Sequence, residues 1–317
     1  MAKRTPSTLN LLIGIDKPAG MTSHDVVARV RRALNERRVG HAGTLDPLAT
    51  GVMVVGVGQA TRLLGLLTLD TKAYVAQILF GAETNTDDAE GEVTRTADTP
   101  AELFDPAFAV EALARTLGPQ EQVPPAFSAI SVDGVRSYKR ARAGEAVELP
   151  ARPIEVFDAL LLGIEEKDGR PFWTVAFTVS KGTYIRALAR DLGRALGSAA
   201  HLAELRRTAS GGIGIGSCLA LDGLTVREAR ARAIDPVAAL GVQGVALAER
   251  WRSDVLCGRR LPFEAVPGRV LGEGTVPERP ASLGLSIAGE LVALAHVDAS
   301  SIVMDQVFPQ PIGGVRL

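Results

Sequence analysis

The sequence predicts an α/β protein that closes on a small β-rich region, and three observations carry this. Residues 11–15 and 52–58 are continuous apolar runs of strand length, and residues 172–179 alternate large apolar groups with smaller or polar ones, as a strand with one face in a core does. Helical spacing appears twice: Val26, Val27, Val30 and Leu34 fall on one face, and so do Ile185, Leu188, Leu192 and Leu196. From about Val245 the texture changes to short apolar runs separated by Gly and Pro, including residues 286–297, as in a small barrel or sandwich.

Taken in order, the strand at 11–15 runs into a turn over 16–20, and a helix begins at Ser23. Ser23 is expected to cap it, with Asp25 in its first turn and arginines near its end complementing the helix dipole. Asp46 then sits in a tight segment bracketed by Gly40, Gly43 and Gly51. Pro47 biases Asp46 toward an extended backbone, and the glycines permit close approach or positive φ, so one carboxylate is presented rigidly just before the strand at 52–58. A further strand is expected over 73–81. Residues 83–91 are acidic and turn-rich, and 119–153 are rich in proline and charge with little periodicity, which marks loops or insertions. The strand at 172–179 leads into Ser180-Lys181-Gly182, after which Thr183 is expected to cap the second helix. No internal repeat or low-complexity segment interrupts the chain.

A length of 317 residues suggests one large domain plus a smaller one, and the changes of texture divide them as 1–240, with an insertion at about 119–153, and 245–317. With 46% hydrophobic residues a core is affordable, yet no apolar run reaches the ~18 residues of a membrane span. The basic start is followed by an apolar stretch too short, and too soon broken by Asp16 and Lys17, for a signal peptide, so a cytoplasmic protein is expected. Cys218 and Cys257 form no CxxC pair, which argues against a disulfide framework and against a zinc or other metal site. The net charge of -1 does not exclude a local basic surface. Only six of the 35 basic residues are lysines, leaving 29 arginines, the side chain suited to bidentate phosphate contact. They cluster at Arg29, Arg31, Arg32, Arg37 and Arg38, and again at Arg136, Lys139, Arg140 and Arg142, so Arg37, Arg38, Arg140 and Arg142 are candidates for an RNA backbone.

The run Gly40-His41-Ala42-Gly43-Thr44-Leu45-Asp46-Pro47-Leu48-Ala49-Thr50-Gly51-Val52 resembles the catalytic-aspartate motif of the bacterial stand-alone tRNA pseudouridine-55 synthases. Lys17-Pro18-Ala19-Gly20-Met21-Thr22-Ser23, Lys72-Ala73-Tyr74, Ser180-Lys181-Gly182-Thr183-Tyr184-Ile185-Arg186 and Leu205-Arg206-Arg207 resemble further segments of that family, in its order, from residue 11 to about 208. Thr84-Asn85-Thr86-Asp87-Asp88 is similar to its acidic loop but carries Asn85 where an Asp is usual. Residues 257–261 and 289–293 resemble, weakly, its C-terminal PUA-like RNA-binding module. The resemblance implies the pseudouridine synthase fold, with a central mixed, largely antiparallel sheet. It implies Asp46, Tyr74 and Arg186 as catalytic residues, and His41, Tyr184, Leu205, Lys17 and Asp88 around the substrate. It also implies the T-arm stem-loop of tRNA as partner, no cofactor, no membrane, no obligate protein partner and a monomer.

The chemistry fits those residue types. Pseudouridylation breaks the bond from ribose to a uracil nitrogen, turns the base over and rejoins it through carbon, without redox change. A carboxylate can act as nucleophile or as the base of an elimination, and a permanently charged neighbour, Arg186, would keep it ionised. Tyr74 would stack on the uracil, Tyr184 and Leu205 would line the pocket, and His41 would occupy the space left by the extruded nucleotide. Two other classes carry related features: a non-catalytic tRNA-binding folding aid, and the catalytic subunit of a guide-RNA pseudouridylation particle. The first has no need of a carboxylate facing an anionic ligand, and the second has longer basic terminal extensions than the residues before the first strand here.

Overall fold

The computed structural model describes residues 6–67, 71–128, 131–132, 135–137, 149–266, 282–298 and 301–317. The chain divides into two compact units, one of Met1–Pro47, Gly51–Leu69 and Gly211–Leu317, the other of Leu48–Thr50 and Asp70–Ser210.

The first unit begins with β1 (Leu11–Lys17), α1 (Ser23–Ala33), β2 (Val39–Ala42) and β3 (Thr50–Val57), the last running into the unit from Gly51. β1 is longer than the apolar run 11–15 because the charge of Lys17 is absorbed by backbone carbonyls at the strand end. β1 pairs antiparallel with β3, from Leu11 opposite Val57 to Lys17 opposite Gly51, and β3 pairs antiparallel with β2. Both faces of β1 are covered, which is why it reads as an unbroken apolar run. Leu11, Ile13 and Ile15 share a core cluster with Val26, Val27 and Val30 of α1, while Leu12 joins a cluster containing Phe308 and Ile312. The helix cap differs from expectation. Thr22, not Ser23, is the N-cap, and it forms a reciprocal capping box with Asp25; Ser23 is the first helical residue and is buried.

The second unit contains β4 (Lys72–Phe80), β5 (Ala82–Thr84), β6 (Val93–Thr96), β7 (Gly118–Gln122), β8 (Ser131–Val132), β9 (Val135–Arg136), β10 (Arg152–Lys167), β11 (Arg170–Val179) and β12 (Ala200–Ser210). Its sheet has the order β12-β4-β11-β10-β7, every pair antiparallel. Along β11 the larger groups Trp173, Val175, Phe177 and Val179 are buried and Thr174, Ala176 and Thr178 less so, the alternation read from the sequence. Trp173 lies against Phe80 with ring centroids 4.8 Å apart and donates its indole N–H to the Leu103 carbonyl at 2.7 Å, so its polar atom is satisfied inside the core. One further helix of this unit matters for the site. Spanning Ile185–Ala195, it starts at an N-cap formed by Tyr184 with no side-chain bond. The expected cap, Thr183, instead places its hydroxyl 3.3 Å from that of Ser180.

Returning to the first unit, β13 (Ile213–Gly214) and β14 (Cys218–Ala220) follow; β14 pairs parallel with β1, which makes that sheet mixed. The β-rich end is a four-stranded sheet of β15 (Gln243–Ala246), β16 (Ser282–Ile287), β17 (Glu290–Asp298) and β18 (Ser301–Gly313), in that order. β15 runs parallel to β16 and the other pairs are antiparallel. No helix among the described residues is long and apolar enough to cross a membrane.

Candidate active site

In the first unit the polypeptide around Asp46 is irregular, between β2 and β3, and is held from both sides. Gly43 at φ 85° and Gly51 at φ 102° supply left-handed turns at its two ends, a conformation that other residues adopt only with strain. On the N-terminal side, the buried hydroxyl of Ser23 donates to the Leu45 carbonyl at 3.1 Å and accepts from the Leu45 N–H at 2.9 Å. On the C-terminal side, the Pro47 carbonyl accepts from the Gly20 N–H at 2.9 Å and from the Lys17 ammonium at 3.2 Å. Lys17 is 0% exposed and also donates to the carbonyls of Pro18 and Met21 at 2.9 and 2.8 Å. Lys17, expected beside the substrate, is enclosed, and its ammonium donates to three backbone carbonyls whose dipoles favour its charge. The residues on either side of Asp46 are fixed while Asp46 itself stays half-buried.

His41 lies in β2 opposite Val55 and is half-buried. Its ring packs edge-on against that of the exposed His24, centroids 5.9 Å apart. Arg37 and Arg38 are both exposed, and Arg38 donates to the Thr61 hydroxyl at 2.8 Å. Two other members of that basic cluster have local work: Arg29 pairs with Asp222 at 3.3 Å, and Arg31 donates to the Val39 carbonyl at 2.9 Å. Lys139, Arg140 and Arg142, the core of the second basic cluster, lie outside the described residues.

In the second unit Tyr74 and Leu205 share one face of the sheet. Tyr74 stands opposite Phe177 of β11 and Arg207 of β12, and Leu205 stands opposite Ala76, so Tyr74 and Leu205 are diagonal neighbours on adjoining strands. Tyr74 and Leu205 are each 8% exposed, and Arg207 beside them is 1% exposed.

Arg186 is at the start of the helix Ile185–Ala195, and the sequence reading missed what surrounds it. Arg186, Arg190 and Arg194 recur every fourth residue and so form one stripe. Opposite them lies the acidic segment 83–88. Arg194 holds Glu83 with two bonds of 2.9 and 2.5 Å, Arg190 holds Asp87 at 2.8 Å, and the Arg186 Nε lies 3.6 Å from Asp88 Oδ2. Arg186 also donates to the carbonyls of Thr86 at 2.7 Å and Phe127 at 3.1 Å, and is 3% exposed. The hydrogen bond from Arg194 holds the Glu83 carboxyl below its ordinary range, against the opposing effect of burial. Asp87 goes the other way: burial pushes its carboxyl up and outweighs the attraction of Arg190.

Asp88, expected at the substrate, is 3% exposed, and its Oδ1 accepts from the Thr86 hydroxyl at 2.6 Å and the Glu90 N–H at 3.1 Å. It orders its own turn and faces Arg186. Asn85 fits that turn too, since its side-chain oxygen accepts from the Glu92 N–H at 3.1 Å. Tyr184 is half-buried, with its backbone bonded both ways to the side chain of Gln122. No cluster of three or more His, Cys, Asp or Glu residues able to hold a metal occurs among the described residues.

Residues 31–185 match the TruB family pseudouridylate synthase (N terminal domain), and residues 186–237 match the tRNA pseudouridylate synthase B C-terminal domain. The tRNA pseudouridine synthase B of Paenarthrobacter aurescens (strain TC1) is 46% identical over 288 residues, covering 90% of this chain and 91% of that protein. That of Thermobifida fusca (strain YX) is 55% identical over 215 residues, covering 66% of this chain and 72% of that protein. Among solved structures, an H/ACA RNP bound to a substrate RNA containing 2'-deoxyuridine matches with TM-score 0.65 at 24% identity, over 94% of this chain and 84% of that one, a likeness of fold. The sequence match extends nearly end to end against the Paenarthrobacter protein, and it runs through the Asp46 segment and the arginine helix alike. The chain belongs to the TruB family of pseudouridylate synthases.

Proposed function

We propose that this protein isomerises uridine 55 in the T-loop of tRNA to pseudouridine, with Asp46 as the catalytic carboxylate acting on an extruded base. The observation that carries the reading is family membership, joined to a relative named tRNA pseudouridine synthase B that matches 90% of the chain at 46% identity. The hold on Leu45 and Pro47 supports the choice of Asp46: a group meant to meet a reacting ribose gains from a backbone fixed on both sides and a side chain left partly open. In the reaction the bond from ribose C1' to uracil N1 breaks, the base turns, the bond from C1' to C5 forms, and the C5 proton departs while N1 ends protonated. Atoms and electrons balance without an oxidant, so the chemistry proposed requires no cofactor. Asp46 serves either as nucleophile or as the base of an elimination.

Tyr74 is assigned to stacking on the uracil, worth ~1 to 3 kcal/mol per base, with Leu205 and Tyr184 as further pocket residues and His41 filling the space of the extruded nucleotide. Arg186 is assigned as a catalytic cation that complements the Asp46 carboxylate, and Asp88 as the group that orients Arg186. Extrusion costs a few kcal/mol, which phosphate contacts from Arg37, Arg38, Arg140 and Arg142 and from a PUA-like module at 245–317 would offset. The protein would act in the cytoplasm as a monomer without an obligate protein partner. The second reading, a subunit of a guide-RNA particle, draws on the Cbf5-Nop10-Gar1 complex, but there the identity is 25%, well below that to the tRNA enzymes.

Asp46→Asn tests the assignment. It keeps size and removes charge, so tRNA affinity stays within about threefold while single-turnover formation of pseudouridine falls by about 10⁴-fold or more. Tritium release from tRNA labelled at uridine C5 gives the rate, and carbodiimide mapping gives the position. Substantial activity in the variant removes Asp46 from the role, and modification elsewhere than position 55 removes the substrate assignment.

A further inference from the structure

The start of the helix Ile185–Ala195 carries no side-chain cap of its own. A helix that begins without a cap leaves its first N–H groups and its orientation to outside partners. In this unit the partners come from the stretch 122–127, which begins at the last residue of β7. The Gln122 side chain is 2% exposed; it accepts from the Tyr184 N–H at 2.9 Å and donates to the Tyr184 carbonyl at 3.1 Å. The Val123 carbonyl accepts from Arg190 at 2.8 Å, and the Phe127 carbonyl accepts from Arg186 at 3.1 Å. One short segment thus grips the N-cap residue and two of the three arginines of the stripe.

We infer that Gln122 is a positioning residue for the proposed active site, orienting Tyr184 and, through the helix that Tyr184 opens, the guanidinium of Arg186. The inference rests on the assignment of Arg186 given above. Its physical basis is the paired bond. A single contact leaves a backbone free to rotate about it, whereas donor and acceptor bonds from one planar amide to both polar groups of one residue fix the direction of the peptide planes on either side. Burial then excludes the water that would otherwise replace either bond. No other amino acid reproduces the pattern: Glu lacks the N–H donor, and Asn is one methylene short.

The test uses the full-length protein and unmodified tRNA transcript. Gln122→Ala should lower the single-turnover rate constant at saturating tRNA by about tenfold or more, the scale of a small misplacement at a reacting centre, with affinity for tRNA unchanged within about threefold. Circular dichroism and thermal unfolding read the folded fraction separately, so a wild-type rate constant in the folded variant overturns the inference. Gln122→Glu covers the case in which the alanine variant folds poorly. Its carboxylate keeps the acceptor, loses the donor and repels the Tyr184 carbonyl; protonation restores a donor. The variant-to-wild-type ratio of rate constants should therefore rise as pH falls, and a ratio independent of pH counts against positioning. Combined with Arg186→Lys, Gln122→Ala should cost less than the product of the separate effects; a multiplicative loss means Gln122 does not act through Arg186. A wild-type rate constant in Arg186→Lys alone overturns the role of Arg186, while the pH behaviour of Gln122→Glu still decides whether Gln122 orients Tyr184.

Discussion

Two adjacent hydroxyl residues show how a single side chain's role is set. Thr22 and Ser23 are both good helix caps by type, yet Thr22 caps and Ser23 bonds to Leu45, 22 residues away. The same oxygen serves either purpose; what separates them is that position 23 is 1% exposed and faces the Asp46 segment. Ser23→Ala leaves the N–H and the carbonyl of Leu45 without that partner, so stability should fall by about 1 to 3 kcal/mol. The loosened carboxylate should also slow single-turnover pseudouridine formation by about tenfold. Urea denaturation and rapid-quench kinetics read the two effects separately. A destabilised variant with a wild-type rate constant would mean that the bond to Leu45 supports the fold and leaves the aim of Asp46 unchanged.

At the scale of an element, the arginine stripe ties the helix Ile185–Ala195 to the acidic segment that follows β4. Glu83 and Asp87 in that segment titrate in opposite directions, and this gives a pH signature. Glu83 is held below its ordinary value of 4.5, so its contribution to stability is fully present above 4.5 and is lost as pH falls through the depressed folded value. Asp87 is held above its ordinary 3.8, so ionising it costs the folded state more than the unfolded one, and this cost disappears as pH falls below 3.8. Glu83→Gln therefore weakens the protein at neutral pH, by about 1 to 3 kcal/mol given that its arginine partners are half exposed. It also flattens the loss of stability on acidification below 4.5. Thermal unfolding of the variant and the parent between pH 7 and pH 3 measures both, and parallel curves would show that the Glu83 ion pair contributes nothing net. The stripe itself was readable: Arg186, Arg190 and Arg194 are spaced to share a face. Their partners were not, because the segment 83–88 reaches them only through the path of the chain between β4 and β6.

For the molecule as a whole, the net charge of -1 means that tRNA affinity must come from local clusters rather than from an overall field. Within the first cluster Arg29 and Arg31 are bonded to Asp222 and Val39, Arg38 spends one bond on the Thr61 hydroxyl, and both Arg37 and Arg38 are exposed after α1. The double substitution Arg37→Ala with Arg38→Ala should weaken tRNA binding and lower the slope of log affinity against log salt by roughly 0.7 to 0.9 per lost phosphate contact. Filter binding across a salt series supplies the slope. Wild-type affinity with an unchanged slope would remove this surface from the RNA path.

The sequence alone determined the features that depend on a residue and its near neighbours. The apolar runs of β1 and β3, the alternation of β11, the faces of the two helices and the constrained backbone at Asp46-Pro47 follow from local sterics and periodicity, which act over a few residues. The strand-rich end from Val245 was legible for the same reason. Only the tertiary structure decided which polar groups hold the candidate site in place. It assigned Lys17 to the Pro47 carbonyl, Ser23 to Leu45, Arg186 to the Thr86 and Phe127 carbonyls, and Gln122 to a residue 62 positions away. Such bonds leave no periodic trace, because a buried donor takes whatever acceptor the folded backbone brings within about 3 Å, and that choice is made by the packing of distant segments.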